Sequence, residues 1–312
     1  MAVEISEMIM TARSSIHFVG AVVLCLLFSL AASSFGQKED TTRNLWDTAF
    51  SPGRKKPKSV NRRGGARDYR VATRAISPNG VTGDTVVGVT IWRLRPADED
   101  AEGERIVVHE SERDEEWIAE RVTSRTRFAE GDRVRLTIEA ARAGFLYVVD
   151  REQYADGTLG EPHLIFPTTR TRGGDNRVQS GLLVDIPAQT DRPAYLTLRR
   201  TRTDHTAEVL SFIVTKSPLE ALQITDRAQT LSVEQVAAWE KSWGGPPGRL
   251  ELTGGAGQTW TKTEREASAI SVRLLGRDAP VPQTIYYNPS IKSDAPFLVT
   301  IRLNYARPRV RR

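Results

Sequence analysis

Cysteine occurs once in the 312 residues, at position 25, inside an apolar run near the N-terminus. Beyond that run the chain has no thiol, which excludes disulfides, thiolate metal sites and cysteine nucleophiles, so the core must hold the fold together unaided. Cys25 does not suit a lipoprotein signal either: Leu24 precedes it where a small residue is needed, and Leu26-Leu27-Phe28 follow. Histidine is also scarce. Past the N-terminal run there are only His109, His163 and His205, isolated and without the paired spacing of a zinc helix. No G-x-S-x-G elbow, P-loop or dinucleotide fingerprint occurs, and Gly254-Gly255-Ala256-Gly257 lacks the Lys and Ser/Thr that would cradle phosphate. Asp150, Glu152 and Asp156-Gly157 bring acids close in sequence, but not with the alternating ladder and distant Glu of a calcium loop. The sequence therefore assigns no catalytic residue, no metal ligand and no cofactor.

What is present is strand patterning. Hydrophobic residues make up 39% of the chain and aromatics 7%, enough for a proper core. In residues 133–139, Val134, Leu136 and Ile138 share one face and charged residues the other, which predicts a half-buried strand. Phe145-Leu146-Tyr147-Val148-Val149 is apolar on both faces and predicts a strand buried in a sandwich. Turn residues at 143–144, 156–157 and 172–176 cut these runs at regular intervals. Further strands are expected at 85–92, 117–122, 163–167, 181–187, 194–199, 209–215, 284–287 and 297–305, the last alternating most clearly. One helix stands out: Ser232 caps it with Gln235 completing a capping box, Gly244-Gly245-Pro246-Pro247 ends it, and Val236, Trp239 and Trp243 form an apolar stripe expected to pack on the sandwich. A second, shorter helix is expected at 262–270.

Phe128, Gly131-Asp132, Arg135-Leu136, Gly144-Phe145-Leu146-Tyr147-Val148, Asp156-Gly157, Leu164-Ile165-Phe166-Pro167, Asp175-Asn176, Gly181 and Ile186-Pro187 together resemble the bacterial domain of unknown function 4384. The resemblance runs from about residue 128 to 219 and extends to 88–95 and 280–305. It departs at 203–208, where family members carry a Gly-Glu pair before the last shared strand. It implies an exported β-rich accessory domain, found alone or beside protease, kinase or repeat modules, with no catalytic residue to carry over.

The N-terminus has the order of an export signal. Arg13 precedes an apolar run at 16–32, then come Ser33, Ser34 and Gly36 and the polar Gln37-Lys38-Glu39-Asp40. Cleavage after Gly36 is expected. Glu4 and Glu7 fit a signal poorly, which points to translation from Met10. A retained segment would instead be a membrane anchor, although the run falls short of the about 20 residues of a comfortable span. Charge is unevenly placed. Residues 54–74 hold nine basic residues against Asp68, and residues 98–116 hold ten acids against Arg105 and Arg113; such blocks usually lie in solvent, and the acidic one is expected to form an exposed loop. With so little apolar patterning, residues 37–83 read as a disordered basic linker.

The expected organisation is a signal peptide at 1–36, that linker at 37–83, a mainly β, antiparallel β-sandwich-like domain with one or two short helices at 84–306, and a basic tail at 307–312. Arg54, Lys55, Lys56, Lys58, Arg62 and Arg63 are candidates for binding anionic lipid or cell-wall polymer outside the cytoplasm. Nucleic acid is disfavoured, because only Tyr69 interleaves the basic run. Arg170, Arg172, Gly173, Gly174 and Asn176 are candidates for an anion nest. The function expected is a non-catalytic exported binding or accessory module of the cell envelope, partnered by envelope proteins or anionic surfaces. Two alternatives stay open: an envelope hydrolase, if Asp150, Glu161 and His163 converge, and a membrane-tethered sensor component, if the N-terminal segment is retained.

Overall fold

The computed structural model describes residues 49–50, 53–54, 86–98, 103–110, 113–220, 222–252, 254–269, 275, 281–288, 291 and 295–307. All lie in one compact unit, Asn44–Arg312. The expected signal at 1–36, most of the linker and the end of the tail lie outside the described residues. None of the described helices is long and apolar enough to cross a membrane.

Among these residues the strands form two sheets. The first holds β1 (Val86–Pro96), β2 (Arg105–Glu110), β3 (Arg113–Val122), β5 (Arg133–Ala140), β9 (Leu183–Ile186), β10 (Leu196–Thr197), β13 (Gly248–Glu251) and β14 (Thr284–Tyr287). The second holds β4 (Arg127–Phe128), β6 (Gly144–Tyr154), β7 (His163–Phe166), β8 (Arg177–Val178), β11 (His205–Thr215), β12 (Gln229–Thr230) and β15 (Phe297–Tyr305). Pairing is antiparallel except between β15 and β4. The fold is the mainly β, sandwich-like arrangement that the alternation foretold.

The two sheets meet through side chains of one parity. Val87, Val89 and Ile91 of β1 and Leu136 and Ile138 of β5 face Leu146 and Val148 of β6, Leu210, Phe212 and Val214 of β11, and Val299, Ile301 and Leu303 of β15. Each fully buried large side chain contributes roughly 1.5–3 kcal/mol by leaving water, so this layer dominates stability. The opposite parity of the second sheet, Tyr147, Val149, Ile213 and Leu298, is covered by α1 (Val233–Trp243). Ser232 Oγ accepts the Gln235 amide at 3.2 Å, Val236 is fully buried, and Trp239 stacks on Trp243 with centroids 5.6 Å apart. The complete capping box sits instead on α2 (Lys262–Ser268), where Thr261 and Glu264 satisfy each other's amides.

Two expectations change. The acidic segment expected as a loop contains β2 and the start of β3, paired from Arg105↔Ile118 to Glu110↔Arg113. Glu115 and Glu116 are exposed while their backbone pairs in an edge hairpin, so the acids did not prevent a strand. The charged face of β5 is also not solvated. Arg135 and Glu139 are buried, at 2% and 0% exposure, because Arg54, α2 and the chain around 185–194 close over that face.

Candidate functional site

The outer face of the first sheet is a polar layer whose charges are matched within the chain. Arg54 grips Glu139 with two bonds, Nε to Oε1 at 3.0 Å and Nη2 to Oε2 at 2.6 Å, and both side chains are fully buried. The Gly181 amide adds a third at 3.1 Å. Gly181 has a φ of 80°, and a Cβ there would lie 3.2 Å from the Gly53 carbonyl, so only glycine lets this segment close so tightly. Burial pushes the Glu139 carboxyl above its ordinary value, while Arg54 pulls the other way. Beside this pair, Arg135 bonds Asp185 at 3.2 Å, and Trp92 donates to Thr137, which donates to Asp185. Arg121 pairs with Glu264 and lies over Trp92, and Arg135 lies over Trp260. A cavity of about 10 Å³ between Thr137, Glu139 and Glu264 has room for about one water. This layer is a structural seam, and it pins the segment around Arg54.

A second polar cluster interrupts the core at the far end of β6, β11 and β15. Asp150 and Glu152 are in phase with Leu146 and Val148, Glu208 with Leu210 and Phe212, and Tyr305 with Ile301 and Leu303. These positions would be apolar if the core ran on. Tyr305 Oη donates to Glu208 Oε1 at 2.8 Å, and His205 Nε2 lies 3.4 Å from Glu208 Oε2. Glu152 accepts from Tyr154 at 2.8 Å and Thr201 at 2.7 Å. The fully buried His205 ring sits edge-on to Tyr305, with centroids 5.0 Å apart. Asp150 is the least satisfied member of this network: the residue is half-buried and its carboxyl has the Arg151 backbone amide, but its Oδ1 is buried without a hydrogen-bond partner among the described residues, as is His205 Nδ1. Burial first, and then the charge of Glu208, push the Asp150 carboxyl up to about 8. Burial also raises Glu208, and Tyr305 is raised by burial and its bond to Glu208. No group of three His, Cys, Asp or Glu among the described residues is arranged to hold a metal ion.

The residues singled out from sequence fare differently. Arg54 was expected in a solvated basic run and is instead buried against Glu139; Lys55, Lys56, Lys58, Arg62 and Arg63 lie outside the described residues. The anion-nest candidates form a left-handed turn, with φ of 53° at Arg172, 63° at Gly173 and 88° at Gly174. Its donors are largely committed within the chain. The Gly174 and Asp175 amides bond Thr171 and Arg172 carbonyls at 3.1 Å, Asn176 Nδ2 bonds the Leu146 carbonyl at 3.0 Å, and Arg170 Nη2 bonds the Arg192 carbonyl at 2.7 Å. Asp150 and His163 are opposite each other in the β6–β7 register, but Glu161 is exposed and has no bond to either among those described. Sequence reasoning missed Glu208 and Tyr305; the available signal was an acid and a phenol in phase with core residues at strand ends.

Comparison with protein-family models, with characterised proteins and with solved structures finds no match.

Proposed function

We propose that this chain is an exported, non-catalytic binding or accessory module of the bacterial cell envelope, of the kind implied by its resemblance to the domain of unknown function 4384. The observation that carries the reading is the anchoring of Ala49, Phe50 and Arg54. Ala49 and Phe50 pack with Val86 at the start of β1 and with Ile285 of β14, and Arg54 is locked to Glu139. The stretch between them, 55–85, is flanked by Arg54 and Val86, both of which are fixed on the sandwich. It contains eight basic residues, Lys55, Lys56, Lys58, Arg62, Arg63, Arg67, Arg70 and Arg74, against Asp68 and Asp84. Such a concentration of positive charge suits anionic glycan, cell-wall polymer or lipid head groups, which attract it without sequence-specific contacts.

A hydrolase reading draws on Asp150 and Glu208, the carboxyls with raised proton affinity. Glu208 is buried against the Tyr305 hydroxyl and Asp150 is half-buried, and neither bonds His163 or Glu161 among the described residues, so the binding reading is the better supported.

The test is cosedimentation with purified bacterial cell wall and with anionic vesicles, comparing the mature chain with a variant lacking 56–74 that keeps Arg54. Binding by the parent and its loss in the deletion support the proposal. Equal binding by both would move recognition to the folded sandwich.

A further inference from the structure

We propose that the slot holding Phe50 and Arg54 is a peptide-binding site that a second copy of this chain fills, two copies exchanging the stretch that carries these residues. The slot is built by the sandwich. Phe50 is fully buried and packs with Val86 of β1 and Ile285 of β14. Its carbonyl accepts the Ser180 hydroxyl at 3.0 Å. Gly53 lies so close to Ser180 that a Cβ on it would come within 2.3 Å of Ser180 Cβ. Arg54 then passes Gly181 and ends in its two bonds to Glu139 of β5, at 3.0 and 2.6 Å. An aromatic ring and a guanidinium four positions apart are thus seated separately, the ring in an apolar recess and the guanidinium on a buried acid. Between them lie Ser51, Pro52 and Gly53. Two deep anchors of this kind, one apolar and one an arginine, are how a short segment is recognised.

Every slot residue just named lies at position 86 or beyond. The contacts join positions 85 apart for Arg54 with Glu139 and 130 apart for Phe50 with Ser180. None of them involves the 31 residues from 55 to 85. That many residues reach about 100 Å at full extension, against a radius of gyration of about 18 Å for a folded unit of this size. Phe50, Gly53 and Arg54 can therefore seat on their own sandwich or on a neighbour's with the same contacts. Reciprocal seating closes a two-fold dimer, since each copy gives one stretch and accepts one.

Concentration decides between the two seatings. A short flexible connection presents its segment at an effective concentration in the millimolar range and a longer one at less, so exchange gains ground as the chain itself approaches that range. The occupant is a second copy because this chain carries the sequence that fits, Phe50-Ser51-Pro52-Gly53-Arg54. An exchanged pair also carries two basic stretches on one particle, which multiplies attachment to a polymer; that consequence alone rests on the function proposed above.

The experiment separates donor from acceptor. Arg54→Ala spoils the stretch and keeps the slot, whereas Glu139→Gln spoils the slot and keeps the stretch. Neither variant restores the clamp with its own kind, but a mixture does, the Arg54 of one copy seating on the Glu139 of the other. The mature chains are followed by sedimentation velocity and native mass spectrometry from micromolar toward millimolar concentration. The expected result is that each variant alone is monomeric, while the mixture forms a one-to-one heterodimer that grows with concentration. A mixture that stays monomeric throughout overturns the exchange. A fluorescent peptide of residues 47–56 keeps the proposal testable if Glu139→Gln folds poorly. It should bind the Arg54→Ala chain saturably, and the same peptide carrying Arg54→Ala should bind at least about a hundredfold more weakly, because the buried acid is left unpaired. Peptide binding indifferent to Arg54 overturns the slot. Peptide binding with no heterodimer makes a free peptide the occupant and overturns the exchange.

Discussion

Replacing Arg54 by Ala leaves Glu139 fully buried with only the Gly181 amide for a partner. Removing one member of a buried ion pair costs about 3–5 kcal/mol, chiefly because the remaining charge is uncompensated. A solvated arginine in a linker would cost within about 0.5 kcal/mol. The two readings therefore differ by most of an order of magnitude, against a total stability of about 5–15 kcal/mol. At a urea slope of about 2–3 kcal/mol/M, the expected loss lowers the unfolding midpoint by roughly 1 to 2.5 M. Glu139→Gln should be costly too, since it leaves the buried Arg54 guanidinium uncompensated, and the joint replacement Arg54→Met with Glu139→Leu should recover much of the loss, as apolar replacements of buried pairs do. The assay is equilibrium urea unfolding followed by tryptophan fluorescence, Trp92 and Trp260 being buried close to this layer. If Arg54→Ala unfolds within about 0.5 kcal/mol of the parent, Arg54 is not clamped and the anchoring argument fails. Deleting residues 37–74 should be at least as costly, because it takes Ala49, Phe50 and Arg54 together; a linker extending unbroken to 83 would leave the transition unchanged.

Tyr147→Asp should be more damaging still. Tyr147 is 3% exposed beneath α1 and its hydroxyl accepts the Leu219 amide at 2.8 Å, so a carboxylate there costs several kcal/mol and loses the bond; equal melting temperatures for variant and parent would sink the packing described for α1. For export, N-terminal sequencing of the extracytoplasmic fraction should find a mature chain starting at or near Gln37, and an intact Met1 or Met10 there would refute cleavage.

Alternation made most of the sandwich legible, because a strand between two layers must put one parity inward: 133–139 and 297–305 are cases where the residue pattern alone identifies the strand and its core face, whereas 145–149, apolar on both faces, was legible as a buried strand but not for which face meets the other sheet. The short strands β4, β8, β12 and β13 carry too few residues for a period to show. The burial of β5's charged face was not legible either. Arg135 and Glu139 look solvated in isolation, and only residues distant in sequence, Asp185 for one and Arg54 for the other, make burial tolerable. The same non-locality hid the role of Arg54, which in sequence is one basic residue among nine. Asp150 and His163 were visible as titratable residues, whereas their separation from Glu161, and the convergence of Glu208 and Tyr305, depend on strand register.

The account turns on whether the basic segment between Arg54 and Val86 recognises anionic envelope surfaces by charge. The most direct measurement is binding of the mature chain to purified cell wall and anionic vesicles across a salt series, beside a variant in which Lys55, Lys56, Lys58, Arg62 and Arg63 are all Glu and Arg54 is kept. The account predicts binding that falls steeply as screening shortens from about 10 Å at 0.1 M toward about 3 Å at 1 M salt, and that is absent in the variant, whose fold is intact because the Arg54–Glu139 clamp remains. Binding that is equal in the two proteins and indifferent to salt would contradict it.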